Sequence, residues 1–211
     1  MEIGKEVQTS LNLIRWSGLA AILGGVLWIA DAIQTGLQPR GCIGDECAFR
    51  SMREGGPLDP FLFFLAMLLL TVGMAGLVIH TRNATRFGRL GWIGLVAGVI
   101  GFAVLLISGL TQAVFFGGDF PLMPFFVIPG GLVLLVGFLL LGITILRARV
   151  LPLWVAVLFV VGTLAMFGFN DQNAQVFMAI PFGIAWVAVG YVLWSGKDTP
   201  RAMANMNERE Q

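Results

Sequence analysis

Charge is what this chain has least of. Only 12% of its 211 residues are Asp, Glu, Lys or Arg, about half the share found in soluble domains, and that excludes a water-soluble globule. A net charge of +1 beside 57% hydrophobic residues also excludes intrinsic disorder and an electrostatic nucleic-acid surface. Lysine occurs only as Lys5 and Lys197, both outside the apolar runs, so no buried amine is available for a Schiff-base pigment. Histidine occurs once, as His80. A lone imidazole supplies neither bis-histidine haem ligation nor a His-rich di-metal centre, and its place beside Arg82 suits a helix end better than chemistry. No Ser/His/Asp arrangement, phosphate-cradling glycine motif or paired carboxylate at helical spacing is visible. The sequence therefore implies no cofactor, no metal and no catalytic residues, and an enzyme is the least favoured class.

What is present is apolar length. Mean hydropathy is +0.87, and 28 glycines, 17 phenylalanines and 6 tryptophans sit among Leu, Val and Ile runs, a composition typical of transmembrane helices. Six runs reach or approach the roughly 20 residues needed to cross a bilayer: Leu11–Gln34, Phe61–His80, Leu90–Phe116, Met123–Leu146, Leu151–Phe169 and Ala174–Ser195. They lack the alternating polarity of a barrel, so backbone satisfaction in hydrocarbon requires helices. The expected fold is all-α, a polytopic six-transmembrane-helix bundle over residues 1–197 with a cytoplasmic tail at 198–211. Ile3, Val7, Leu11 and Ile14 share one helical face, which suits either a short interfacial helix before the chain turns inward or a frayed end.

The basic residues orient the bundle. Lys5, Arg15, Arg82, Arg86, Arg89, Arg147, Arg149, Lys197, Arg201 and Arg209 fall on one side, and Arg40, Arg50 and Arg53 on the other. The positive-inside rule then places both termini in the cytoplasm and the protein in the inner (plasma) membrane. Asp31, Asp45, Glu46, Glu54, Asp59, Asp119 and Asp171 lie at or near the outer side, so a near-neutral total hides a charge separation.

Two spans repeat a motif, Ile128-Pro129-Gly130-Gly131 and Ile180-Pro181-Phe182-Gly183, and the odd-numbered spans begin near Trp16, Trp92 and Trp154. Three successive hairpin repeats would give this pattern, as would composition alone. Pro129 and Pro181 are expected to kink the fourth and sixth helices in their outer halves. Small residues four apart, at Gly94/Gly98, Ala20/Gly24 and Ala21/Gly25, allow close helix packing.

Candidate site residues gather toward the outer side. Cys42 and Cys47 lie in the long first loop, where a disulfide is the economical reading and thiolate metal binding with Asp45 or Glu46 the competing one. Asp31 lies about two turns from the end of an apolar span, flanked by Trp28, Ile29, Ala32 and Ile33, and an ionisable group at such depth is by default functional. With Gln34, Gln112, Asn170, Asp171, Asn173 and Gln175 it could line a polar ligand pocket roofed by the cysteine loop. The alternative is a set of interfacial residues meeting headgroups and water. Phe61, Phe63, Phe64, Phe115, Phe116, Phe120, Phe125 and Phe126 could wall such a pocket, or form an aromatic belt. The expected function is binding or transport of a small molecule or lipid through an outward-opening pocket. The competing expectation is a non-catalytic partner or assembly subunit packed against other membrane subunits. The lipid bilayer is a partner in both cases and nucleic acid in neither.

Overall fold

The computed structural model describes residues 2–42, 44–49, 51, 53, 58–84, 88–116 and 122–196, with side chains described from Leu11 onward except those of Glu46, Asp59, Pro60, Asn83, Ala84 and Ala113. The expected tail at 198–211, Arg50, Glu54, Arg86, Asp119, Phe120, Lys197 and the side chains of Ile3, Lys5 and Val7 lie outside what is described. Six α-helices follow one another: α1 (Glu2–Leu37), α2 (Asp59–Ala84), α3 (Arg89–Phe115), α4 (Met123–Ala148), α5 (Leu153–Ala165) and α6 (Ala179–Ser195). No strand occurs among the described residues. Five of the apolar helical stretches are long enough to cross a membrane, and the fifth in chain order, Leu153–Gly168, is shorter.

Three boundaries differ from the sequence expectation. α1 runs unbroken from Glu2, so the chain makes no turn between an interfacial segment and the first span. Residues 5–17 contain neither Gly nor Pro, and nothing there interrupts the helix. The fifth helix stops early, at Ala165, and tightens into a 3₁₀ turn at Met166–Gly168. Its 13 residues rise about 20 Å, and the turn adds about 6 Å, which falls short of a 30 Å hydrocarbon core. The sixth apolar run divides into a 3₁₀ turn, Ala174–Met178, and α6. Pro181, expected to bend the outer half of the sixth span, consequently lies in the first turn of α6, where its missing N–H would have had no helical acceptor. Pro129 does lie inside α4 and removes the donor that would serve the Phe125 carbonyl.

The helices pack in the spatial order α2, α1, α6, α5, α4, α3, with α1–α2, α1–α6 and α3–α4 the closest pairs. Small residues set these distances. A methyl group added at Gly25 would lie 2.6 Å from the Gly183 carbonyl, and one at Gly73 would lie 2.7 Å from Ala21 Cβ. The Gly94/Gly98 pair meets Gly137 of α4, so these spacings serve packing within the chain. An aromatic chain fills the centre: Trp186 stacks edge-on with Phe138 at 5.5 Å and Phe159 at 5.2 Å, and Phe182 links this group to Trp28 at 5.6 Å.

Four threonine hydroxyls in the helices are satisfied locally. The hydroxyls of Thr71, Thr81, Thr144 and Thr163 each donate to the carbonyl four residues back, as expected where no water is available. Trp16, Trp92, Trp154 and Trp194 are exposed and lie at the end of the bundle where α1 begins and α6 ends. Arg82 stacks on Trp92 there, 5.1 Å from the ring centroid. This is the arrangement of an interfacial aromatic belt beside basic residues.

Candidate functional site

At the opposite end, the loop after α1 folds onto the connection between α5 and α6. Cys42 and Cys47 are joined in a disulfide with Cα atoms 4.9 Å apart, which leaves neither sulfur as a thiolate for the metal-binding alternative. The clipped segment is held by backbone bonds: Gly41 N donates to the Gln172 carbonyl at 2.9 Å, and Cys42 N to the Ser51 carbonyl at 3.2 Å.

Arg53 is the principal cross-link. Its Nε donates to the Pro39 carbonyl at 3.0 Å, Nη2 to the Gln38 carbonyl at 3.3 Å and Nη1 to the Asp171 carbonyl, while its amide donates to Gln172 Oε1 at 2.6 Å. The guanidinium therefore sits just beyond the C-terminus of α1, where a cation complements the helix dipole and the last carbonyls. Arg53→Ala is expected to remove about 1–2 kcal/mol of local loop stability. Hydrogen–deuterium exchange should read this as an approximately tenfold faster exchange of the Gly41 and Cys42 amides, and unchanged protection would count against the cross-link. Arg53→Lys, which lacks the planar fork, should recover little of it.

Beneath this roof lies a cavity of about 750 Å³ between the loop-end halves of the helices. α1 contributes Trp28, Asp31, Ala32 and Thr35, α2 contributes Phe63 to Met74, and α3 contributes Phe102, Leu105, Gly109 and Gln112. α4 lines it from Met123 to Phe138, and α6 closes it with Ala179 and Phe182. The lining is mostly apolar, with Asp31, Thr35, Arg53, Thr71, Gln112 and Asp171 the polar exceptions. Asp31 is half-buried, with Oδ1 fully enclosed, and Asp171 is exposed at the rim.

Of the residues singled out from sequence, Asp31, Gln112 and Asp171 come together around this cavity. Gln34 lies on α1 away from the lining. Asn170 and Asn173 are engaged in turns: Asn170 Oδ1 accepts from the Gln172 amide at 2.9 Å, and Asn173 Oδ1 accepts from Gln175 N at 2.6 Å, opening the 3₁₀ turn. Gln175 is exposed and bonded to Asn173. Phe63 and Phe64 line the cavity, whereas Phe61, Phe115, Phe116 and Phe125 face outward. Phe126 is also exposed.

Arg53, Thr35, Phe102, Phe138 and Phe182 were not anticipated as lining residues. Arg53 carried one signal, as one of only three basic residues on the cation-poor side. Thr35 carried another, one helical turn beyond Asp31 on the same face.

The chain matches no protein-family model, no curated protein and no solved structure.

Proposed function

We propose that this protein spans the inner membrane with both termini in the cytoplasm and binds, or passes, a small molecule in the cavity at its outer end, with Asp31 as the polar anchor. The observation that supports this most is the coincidence of a 750 Å³ apolar cavity with a carboxylate inside a helical span. A void of that size forfeits the packing that holds a helical bundle together, and its volume and sparse polar lining are those of ligand sites. A carboxylate at this depth is costly unless it is used. The ten-to-three division of basic residues favours the stated orientation, and the exposed tryptophans at the terminal end suit a membrane interface there. The hairpins α1–α2, α3–α4 and α5–α6 are read as a threefold repeat of one unit, supported by the two Ile-Pro-x-Gly segments.

Binding is tested by native mass spectrometry of the protein released from phosphatidylcholine nanodiscs soaked with a panel of single-chain amphiphiles, comprising an alcohol, a carboxylic acid, an amine and a sulfate. The parent is expected to retain one molecule of at least one member, and Asp31→Asn to retain several-fold less. Retention of none by the parent would overturn the binding reading, and equal retention by Asp31→Asn would remove Asp31 as the anchor.

A further inference from the structure

The cavity opens sideways. α4 and α5 are in contact at Phe138 and Phe159, whose rings are 6.2 Å apart, and at Gly142, where an added methyl would lie 2.8 Å from Val160. Nearer the loop end α5 has already stopped, and the facing residues Ile128, Leu132 and Phe167 line the cavity while being 62%, 49% and 46% exposed. Residues that both line a cavity and are half exposed form its rim. Gly131 sits between them, and a methyl group there would meet nothing within 4 Å. On the α2–α3 side Met67, Leu70 and Met74 are buried, and an added methyl at Gly109 would lie 2.9 Å from the Phe64 ring, so side chains bridge the two helices there.

The depth of this mouth decides what can enter. α4 has 26 residues and so spans about 39 Å. Centred on a hydrocarbon core of roughly 30 Å, it places Ile128 and Leu132 at the level of the acyl chains, below the headgroups. Arg53 and Asp171 lie above the mouth, at the roof, whereas Asp31, inside the span of α1, lies at acyl-chain depth. The described lining carries two carboxylates, Asp31 and Asp171, and one guanidinium, that of Arg53. Trp28, one turn from Asp31, and Phe63 add aromatic rings with centroids 5.6 Å apart. Carboxylates beside aromatic faces are the chemistry that recognises an ammonium group.

Building on the binding reading above, we infer that the ligand is a single-chain amphiphile with an ammonium head, taken from the adjacent leaflet through the gap between α4 and the end of α5. Its head reaches Asp31, and its chain lies in the apolar space between α2, α3 and α4.

The test titrates the full-length protein in phosphatidylcholine nanodiscs with radiolabelled dodecylamine and, separately, dodecanol, subtracting empty nanodiscs. The amine is expected to bind saturably and about tenfold more tightly than the alcohol, and Asp31→Asn to bring it to the alcohol's level. Gly131→Trp should abolish saturable binding of both, and Gly131→Leu should weaken it, with circular dichroism confirming that each variant is folded. Should Gly131→Trp fail to fold, Gly131→Leu alone reads the mouth. Equal affinity for amine and alcohol, unchanged by Asp31→Asn, overturns the ammonium head and leaves the binding reading standing. Amine binding undiminished in the folded Gly131 variants overturns the lateral route. Absence of saturable binding of either probe to the parent overturns this inference, and the binding reading falls with it only if the amphiphile panel also yields no retained molecule.

Discussion

Gly137→Ala is expected to destabilise the folded bundle by about 3 kcal/mol, the upper end of what overpacking costs. The added methyl would lie 2.4 Å from the Gly98 amide nitrogen and 2.8 Å from both the Gly94 carbonyl oxygen and Gly98 Cα. All three atoms are backbone, so relief requires moving a helix, since no side chain can rotate away. α3 has α4 as its one extensive neighbour among the described helices, so separating the pair costs α3 most of its support. Because α3 carries Phe102, Leu105 and Gln112 to the cavity, ligand retention should fall with stability. Gly131→Ala, six residues away on the same helix and facing open space, is expected to be neutral or slightly stabilising, since alanine is the better helix former. Equilibrium unfolding in mixed micelles of increasing SDS fraction compares the two. Similar losses for both variants would show that the α3–α4 contact is not as close as described.

Trp186→Ala should cost about 3–5 kcal/mol in the same assay, the range for emptying a large aromatic site in a core. Trp186 is fully buried and touches Phe138, Phe159 and Phe182 at ring-centroid distances of 5.5, 5.2 and 6.3 Å. In a membrane the loss is chiefly of packing, because lipid tails are as apolar as the core. Trp186→Phe separates volume from polarity. The buried indole Nε1 meets no hydrogen-bond acceptor among the described residues, so phenylalanine forfeits no hydrogen bond and should cost only about 1 kcal/mol. A phenylalanine variant as unstable as the alanine one would imply a polar partner for the indole. Phe138 and Phe182 border both this cluster and the cavity, so the alanine variant should also loosen ligand retention.

The cavity was only partly legible in the sequence, and the reason differs by residue. Asp31 and Gln112 stand out because a polar side chain inside an apolar run is visible in one dimension. Arg53 and Gln172 do not, because their role is a contact between segments more than a hundred residues apart. Asn170, Asn173 and Gln175 looked equivalent to Asp171 by depth. The turn geometry that engages them in short-range hydrogen bonds depends on where α5 stops, and hydropathy carries on past that point to Phe169. The phenylalanines stayed open between pocket wall and belt for a related cause: a run such as Phe61-Leu62-Phe63-Phe64 places rings on several helical faces, and only the neighbours decide which face is inside.

By itself the sequence determined the solvent, the helical class and the approximate helix positions, because apolar length and the need to satisfy every backbone hydrogen bond in hydrocarbon leave almost no alternative. It also marked the disulfide pair, since two cysteines five residues apart admit one intramolecular pairing. The tertiary structure alone decided that α1 lies between α2 and α6, that the first loop is fastened over the α5–α6 connection, and that a cavity opens beside Gly131. Those features depend on which glycine meets which backbone and on where a short helix ends against a longer one. Inside a membrane hydrophobicity drives every helix equally, so the choice among packings rests on shape, and shape is settled only when the helices meet.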